Sequence, residues 1–436
     1  MNNRLVHSFL LLPFLLLLGV APLVASESVS PIKVEIRDTE SGFSLYRGGA
    51  PYVVKGAGTQ LVADLPSLAR HGGNSVRNWS TDNAQEFLDA AHALGITVAL
   101  CIDIKRERHG FDYNDEAAVR AQFEFAREEV LKYKDHPALL VWVLGNELNL
   151  EAKNMKIYDA VNDMAEMIHE LDPNHPVTTT TAGLDRRLAR TIAKRAPAID
   201  FLSVQLYGGL FSIRDALKKI RWKKPLMITE WGTIGHWEVD SLPWGAPLEP
   251  NSHEKAETYK RGYLEEISAM DEQLIGNYAF LWSFKQERTP TWYGMFLPGG
   301  IRTEVVDVMQ QLWRGDYPEN RAPVLNSLQI GGYDAALGLR LKAGEMYLAT
   351  ADVMDPEEDP LRFEWRLLRE STATEVGGDA EEVPEDVSRV LLNTGGPEAG
   401  IRTPSQPGPY RLYVYSYDDM GGGAHANFPF YVDSAN

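Results

Sequence analysis

The sequence has almost no cysteine and fewer basic than acidic residues. Cys101 is the only cysteine among 436 residues, which excludes an intramolecular disulfide framework and a cysteine-based zinc cluster. Lys and Arg number 43 against 61 for Asp and Glu, a net charge of −18. A partner with a phosphate backbone, such as a nucleic acid, needs a basic face and is therefore not expected. The hydrophobic share of 44% is ample for a packed core, so a wholly disordered chain is excluded.

Long apolar runs are also missing, except near the N-terminus. Arg4 is followed by the apolar residues 9–20, and a stretch of small residues then leads to Glu27. This order is typical of a secretory signal peptide over residues 1–26, with a retained anchor as the alternative. Pro13 interrupts the run, which is shorter than a membrane span of about 20 residues. We therefore expect a secreted or periplasmic protein whose mature form has no membrane span.

The middle of the chain alternates short apolar runs with segments of helical period. Eight runs have the length and composition of strands: 51–58, 74–79, 97–104, 138–147, 176–181, 201–207, 225–231 and 277–284. Apolar strands separated by helices indicate a parallel sheet that is covered on its outer face. Eight such units predict an α/β fold, a (β/α)8 TIM barrel. An open doubly wound sheet would need a Gly-rich phosphate loop after the first strand, and that spacing is missing.

Two glutamates follow strictly apolar strands at the predicted active face of this barrel. Glu147 ends the fourth strand and Glu230 ends the seventh, and residues at strand ends meet at one mouth of a barrel. Two carboxyl groups across a cleft can cleave a glycosidic bond with retention or inversion, depending on their separation. The alternative is that both are charges at helix starts or on the surface.

This set of residues resembles clan A of the retaining glycoside hydrolases. The residues that carry the resemblance are Asn146-Glu147 after strand four, Thr229-Glu230-Trp231-Gly232 after strand seven, Arg77, Tyr207 and Trp282. Residues 43–58 are similar to the start of the barrel in family two, and the barrel also looks like that of family five and of β-1,3-glucanosyltransferases. Gln205 departs from family five, where many members have a histidine at this place.

The resemblance implies a role for each matching residue. Glu147 would be the acid/base and Glu230 the nucleophile, while Asn146 would hydrogen-bond the sugar 2-hydroxyl. The remaining implied roles are orientation of Glu230 by Tyr207, maintenance of its charge by Arg77, and an apolar platform under the sugar from Trp282.

Three loops on the predicted active face, 105–115, 232–254 and 285–296, are rich in aromatic and hydrogen-bonding groups. Long loops in a compact domain are usually functional. The candidate substrate-binding residues, including one at the end of strand three, are His109, Trp237, Trp292 and Asp103. No helix carries a spaced histidine pair with a carboxylate, so we expect neither a catalytic metal nor a cofactor.

The C-terminal part has a different pattern. The catalytic barrel with an N-terminal hairpin is predicted over 32–315, a linker over 316–322, and a small all-β immunoglobulin-like sandwich over 323–436. An acidic segment, 372–387, interrupts its strands and is predicted to be a mobile loop. The sandwich has few aromatic residues in a row, which favours a spacer over a carbohydrate-binding module.

Together these features predict an exported retaining β-glycosidase. Its partner would be an oligo- or polysaccharide, a β-glucan or related β-linked glycan, cleaved by double displacement. Two alternatives stay open at this point: a transglycosylase that uses the same residues, and a catalytically silent glycan-binding protein. The oligomeric state is not predicted.

Overall fold

A computed structural model describes residues 30–220, 222–270 and 272–434. The predicted signal peptide, 1–26, lies outside these described residues. Within the described ranges, no helix combines the length and apolarity that crossing a membrane requires.

Eight parallel strands form a closed barrel, which confirms the predicted (β/α)8 fold. The strands in chain order are Gly56–Gly58, Ser75–Arg77, Thr97–Ile102, Leu139–Leu144, Val177–Ala182, Leu202–Leu206, Leu226–Trp231 and Leu274–Ala279. Nearly every residue in them is buried, because one face packs into the barrel and the other against the helices.

Eight α-helices follow the strands and surround the barrel. They are Leu65–Arg70, Ala84–Ala93, Glu116–Tyr133, Ile157–Leu171, Arg186–Arg195, Ile213–Ile220, Ser252–Arg261 and Glu304–Arg314. Local capping fixes where some of them begin. Asn251 and Glu254 form a reciprocal capping box at the seventh helix, and the Asp115 carboxylate accepts two backbone N–H groups at the third. Such caps bind N–H groups that have no partner within the helix.

Five of the eight barrel strands end before their predicted ends, and the differences are largest, at three and five residues, in the fourth and the eighth. The fourth strand ends at Leu144, and the chain then turns through Gly145, which has a φ of +73°. The eighth strand covers Leu274–Ala279 and not 277–284, so Trp282 lies three residues beyond its end. This shift decides the direction of the Trp282 side chain, described below.

An N-terminal hairpin covers the face of the barrel opposite the strand C-termini. Its strands, Val34–Thr39 and Gly42–Arg47, contact segments that precede the fifth and eighth barrel strands. The N–H of Val34 donates to the Asn174 carbonyl over 2.8 Å. Cys101 lies nearby in the buried barrel interior, where burial raises the pKa of its thiol to about 12. It is a packing residue, as its sequence context predicts.

The C-terminal part is an all-β sandwich of two four-stranded sheets, as predicted. One sheet has the strand order Val324–Ile330, Met346–Met354, Glu398–Arg402 and Leu391–Leu392. The other has the order Arg340–Lys342, Gly423–Asp433, Gly408–Tyr417 and Arg362–Arg369. Their inner faces share a buried core that includes Leu325, Trp365, Leu412 and Phe428.

A buried polar cluster joins the sandwich to the barrel. The Glu249 carboxylate, fully buried, accepts from Lys255 Nζ at 2.5 Å, Thr289 Oγ1 at 2.6 Å and Asn427 Nδ2 at 2.6 Å. The first three residues belong to the barrel and its loops, and Asn427 belongs to the last sandwich strand. Because removing one partner would leave a buried group unpaired, this cluster fixes the sandwich in one position on the barrel.

Candidate active site

A cavity of about 820 Å³ opens at the C-terminal ends of the barrel strands. Residues that end or follow all eight strands line it, and a segment of the sandwich completes the wall. Its volume lies in the range of small-molecule sites. The predicted active face therefore contains a pocket large enough for a ligand.

Glu230 is the last residue but one of the seventh strand and lines this pocket. Its side chain is 7% exposed, and three donors hold it: Arg77 through Nη1, Trp79 Nε1 at 2.9 Å and the Tyr207 hydroxyl at 3.0 Å. Burying an unpaired carboxylate would be very costly, so this ion pair and the two hydrogen bonds balance the buried charge. The same contacts fix both oxygen atoms in place.

Glu147 lines the same pocket three residues after the fourth strand. Its backbone has a φ of +49°, a left-handed conformation that is uncommon outside glycine, and its N–H donates to Thr180 Oγ1 at 2.9 Å. Burial, together with the negative charge of Glu230, raises the pKa of Glu147 to about 8. One glutamate is thus held by cationic and neutral donors, whereas the other favours its protonated form.

Asn146 is oriented by two donors to its side-chain carbonyl. Arg77 Nη2 donates to Asn146 Oδ1 at 2.5 Å and Gln205 Nε2 donates to the same oxygen at 2.6 Å. The amide NH2 group of Asn146 is consequently the free end of the side chain at the pocket wall. Gln205, at the position where family five often has histidine, therefore acts through Asn146.

Three aromatic side chains form one side of the pocket. Tyr207, Trp237 and Phe280 all line it, and Tyr207 contacts both others edge-on at centroid distances of 5.6 and 6.0 Å. Trp237 is 59% exposed, an unusual state for the largest side chain. Burial and the charge of Glu230 raise the pKa of Tyr207 far above its usual value, so its hydroxyl stays a donor.

The predicted platform role of Trp282 is wrong. The residue is fully buried, stacks on Trp313 of the last helix at 5.5 Å and packs against Phe296, away from the pocket. The eighth strand ends at Ala279, and Phe280, two positions before Trp282, reaches the pocket, as does Phe284 further along the loop.

Trp292, His109 and Asp103 do not line the pocket either. Trp292 is fully buried and its Nε1 donates to the Ile234 carbonyl at 3.0 Å, so it pins the loop after strand seven. His109 and Asp103 contact side chains that do line the pocket. His109 Nε2 is 2.9 Å from Asp379, and Asp103 is paired with Arg106 at 3.2 Å. Direct substrate contact by these three residues is not supported.

Sequence analysis missed several pocket residues. Trp79 is the second residue after strand two, and its position at the predicted end of that strand is a signal that could have identified it. Glu287 is buried, and its carboxylate lies 2.6 Å from Lys285 Nζ. Burial raises the pKa of Glu287 by more than the positive charge of Lys285 lowers it. Val376 to Asp379 come from the sandwich, and no local pattern links them to the barrel.

Among the described residues, no group of three or more His, Cys, Asp and Glu side chains has an arrangement that could bind a metal ion. The side chains that line the pocket include carboxyl groups, amides, cationic groups and aromatic rings.

Comparison with known proteins agrees with this geometry. Residues 55–273, half of the chain, match the family described as glycosyl hydrolases family 2, TIM barrel domain. A mannan endo-1,4-β-mannosidase F from Aspergillus clavatus is 29% identical over 30% of this chain and 36% of its own length. A β-galactosidase from Leuconostoc mesenteroides is 22% identical over 39% of this chain and 16% of its own. The chain therefore spans only a minor part of these relatives.

Solved structures show the same fold. A β-D-glucuronidase from Dictyoglomus thermophilum superposes with a TM-score of 0.51 at 18% identity, over 66% of this chain and 55% of that one. A calcium-binding mutant of Bacteroides uniformis β-glucuronidase 2 gives the same TM-score at 14% identity, over 92% of this chain and 48% of that one. At these identities the similarity concerns the fold alone. With half of its length matched by the family, and with the barrel that the family describes, the chain belongs to the family 2 glycosyl hydrolases through their TIM-barrel domain.

Proposed function

We propose that this protein is a retaining β-glycoside hydrolase. The observation that carries the proposal is the pair Glu147 and Glu230, which share one pocket but have opposite environments. A carboxylate held by three donors is suited to attack, and a buried carboxyl with a raised pKa is suited to donate a proton. A site that only binds glycans does not require such a pair.

In the first step Glu230 attacks the anomeric carbon of the bound sugar. A glycosyl ester forms as the bond to the leaving oxygen breaks, and that oxygen takes the proton of Glu147. The electron pair of the broken bond leaves with the protonated oxygen as an alcohol. Glu147 becomes a carboxylate and Glu230 becomes a neutral ester.

In the second step the same two residues act in reverse. Esterification removes the negative charge of Glu230, which after burial is the largest cause that raises the pKa of Glu147. The pKa of Glu147 therefore falls in the intermediate, and its carboxylate takes a proton from water as the water attacks the anomeric carbon. Glu230 leaves as a carboxylate, and both groups return to their initial protonation states.

The neighbouring residues support this sequence by positioning. With its carbonyl held by Arg77 and Gln205, the Asn146 amide is arranged to donate to a sugar hydroxyl. A contact of this kind contributes to catalysis if it strengthens as charge develops at the sugar. Arg77 serves both residues at once, since it also pairs with Glu230.

The substrate we propose is a β-linked glycan, a β-glucan or a chemically related polymer. Trp237 offers an exposed indole face on which the apolar face of a pyranose ring can stack, and Phe280 offers a second apolar surface. Glu287, Lys285 and Gln205 supply polar atoms that can bind hydroxyl groups. The names of the relatives, which include a mannosidase and a galactosidase, support a hexose polymer without choosing its sugar.

Trapping of the glycosyl-enzyme tests this proposal. The protein is incubated with activated 2-fluoro glycosides of the gluco, manno, galacto and xylo series, and its intact mass is measured. Wild type should gain the mass of one glycosyl group from at least one sugar, and Glu230→Gln should gain none. The Glu128→Gln variant, which changes an exposed carboxylate on the third helix, should label like wild type.

Glu147→Gln separates the two carboxyl roles. It should still be labelled by substrates whose leaving group needs no proton, and it should hydrolyse unactivated glycosides about 10²–10⁴-fold more slowly than wild type. Chromatography of the products then distinguishes hydrolysis from transfer to a second sugar. Absence of an adduct from every sugar, together with binding of a glycan, would favour the silent glycan-binding alternative.

We also propose that the protein is exported. Support comes from the pattern of residues 1–26 alone: a basic start, an apolar run and small residues before Glu27. Expression of the full chain followed by mass measurement of the extracellular or periplasmic product should give a mass that lacks this segment. A cytoplasmic product of full mass would contradict the proposal.

A further inference from the structure

A segment of the sandwich lies over the mouth of the barrel. Residues 373–381, here named the strap, connect the sandwich strands Arg362–Arg369 and Leu391–Leu392. Its composition had predicted a mobile loop, yet it binds barrel loops on two sides. The partners lie about 90 or 270 positions away in the sequence, so the local pattern carries no sign of these contacts.

One end of the strap binds the loop after the third barrel strand. Asp379 accepts from Arg108 Nη2 at 3.1 Å and is 2.9 Å from His109 Nε2. Arg108 also donates to the Gly377 carbonyl. The Arg108 side chain is only 3% exposed, so this ion pair is partly withdrawn from water and is stronger than a surface pair.

The other side of the strap binds the loop after the eighth strand. Lys285 Nζ donates to the Gly378 carbonyl at 2.8 Å, and the Arg288 guanidinium donates to the Ala373 carbonyl at 2.6 Å. The N–H of Arg288 donates to Glu381 at 2.6 Å. The third and eighth strands are three positions apart in the ring of eight, nearly opposite each other. A segment bound to both loops therefore crosses the mouth.

The strap also forms part of the pocket wall. Gly377, Gly378 and Asp379 line the same cavity as Glu147. A Cβ at Gly377 would lie 2.8 Å from Arg108 Nη2, 3.1 Å from Glu147 Oε2 and 2.7 Å from Leu150 Cδ2, and the φ of Gly377 is +62°. Only glycine combines this conformation with so close an approach. The strap backbone thus lies beside the proposed acid/base.

The body that carries the strap is held firmly. Glu249 and its buried partners join the sandwich to the loops after strands seven and eight, and Arg411 of the sandwich donates to the Pro247 carbonyl at 2.9 Å. Because these contacts hold the sandwich on the barrel, the strap that the sandwich carries is held in place as a wall of the pocket.

We infer that the strap is a specificity-determining element of the active site, which limits the length of glycan that the pocket accepts. The inference rests on the proposed hydrolase function, since it concerns the substrate of the same site. A wall anchored on both sides of the mouth restricts the room for sugars beyond those at the reacting bond. The sandwich is then a part of the catalytic unit and more than a spacer.

Chain-length profiles test the inference. The value of kcat/KM is measured for oligosaccharides of increasing length, built from the sugar that labels the wild type, and for the corresponding glycosyl fluoride. A variant in which residues 374–380 are replaced by a short Gly-Ser linker should gain about tenfold or more on the longest oligosaccharides relative to wild type. Each value is divided by the kcat/KM of the same protein for the fluoride, whose leaving group is a single atom, so that a general change in the active site cancels and only the dependence on length remains.

Two point variants keep the test decisive if the shortened protein does not fold. Asp379→Ala removes the two side-chain anchors to the third-strand loop, leaves the bond from Arg108 to the Gly377 carbonyl, and should shift the length profile in the same direction by a smaller factor. The matched control Glu382→Ala, an exposed carboxylate just outside the strap, should leave the profile unchanged. The amount of 2-fluoro glycosyl-enzyme formed per protein measures the fraction of intact active sites in each preparation.

The outcomes separate this inference from the function on which it rests. Failure of the wild type to form an adduct or hydrolyse any glycoside overturns both. A wild type that is labelled and active, with the same length profile in the shortened variant and in Asp379→Ala, overturns the strap inference alone. A profile that shifts equally in Glu382→Ala overturns it as well, since contact with the barrel would not be the cause.

Discussion

Replacing Glu147 by glutamine should change how the stability of the protein depends on pH. Burial and the charge of Glu230 raise the pKa of Glu147 from its ordinary value of 4.5 to about 8. Between these values the folded protein holds a proton that the unfolded chain has lost. The free energy of unfolding therefore falls as pH rises through this window, and the stability is fully present only below it.

The size of the effect follows from the shift. Each pH unit inside the window costs about 1.4 kcal/mol, so between about pH 5.5 and 7.5 this group lowers the unfolding free energy by roughly 2–3 kcal/mol. Glutamine has nearly the shape of a protonated glutamate and does not titrate. Glu147→Gln should therefore gain stability relative to wild type by that amount across the interval.

Urea unfolding at both pH values, followed by tryptophan fluorescence, measures the difference. Comparing the two proteins at each pH cancels the contribution of groups that they share, provided that the denaturant dependence is the same. Glu128→Gln serves as the control, because Glu128 is exposed on the third helix and its replacement should add no pH dependence in this interval.

An equal stability difference at the two pH values would refute the reasoning. It would mean that Glu147 is ionised in the folded protein across the interval, so that neither burial nor Glu230 keeps the proton in place. Its assignment as the proton donor would then lose its physical basis.

Further predictions concern activity. The value of kcat/KM should decline as pH rises through about 8, because the free enzyme then loses the Glu147 proton, and a pH profile with an aryl glycoside checks this. Arg77→Lys should lower kcat about 10²–10³-fold with unchanged folding, because one ammonium group cannot reproduce the two guanidinium nitrogens that bind Glu230 and Asn146. Steady-state kinetics measures the loss of kcat, and circular dichroism checks the folding. Trp237→Ala should raise KM and leave the melting temperature nearly unchanged, whereas Trp282→Phe should cost about 1–3 kcal/mol of stability and leave KM unchanged, which thermal unfolding and kinetics distinguish.

The barrel could be predicted because its signals are local. Each strand is a short apolar run and each helix has an amphipathic period, so the count of eight units follows from the sequence. Glu147 and Glu230 could be selected for a similar reason: a charged residue that ends an apolar strand of a parallel barrel lies at the mouth. The structure places these two in one pocket, where Arg77 and Tyr207 contact Glu230 and Arg77 also contacts Asn146.

Side-chain direction could not be predicted in the same way. Trp282 and Phe280 are both apolar aromatic residues near the end of the eighth strand, and only the place where the strand ends decides which one reaches the pocket. Trp237 and Trp292 differ likewise, one exposed and one buried, although each belongs to an aromatic loop. Packing of the whole barrel determines which of these side chains faces the pocket and which is buried. The local sequence pattern is the same in both cases.

What the sequence determined by itself is the barrel, the all-β C-terminal part and the two carboxyl groups at the mouth. Only the tertiary structure decided how those carboxyl groups are differentiated, because the three donors to Glu230 come from the ends of strands two and six. The tertiary structure also determines the role of the strap. Its acidic, glycine-containing segment is typical of a solvated loop, and it becomes a pocket wall because folding brings Arg108, Lys285 and Arg288 to it from distant parts of the chain.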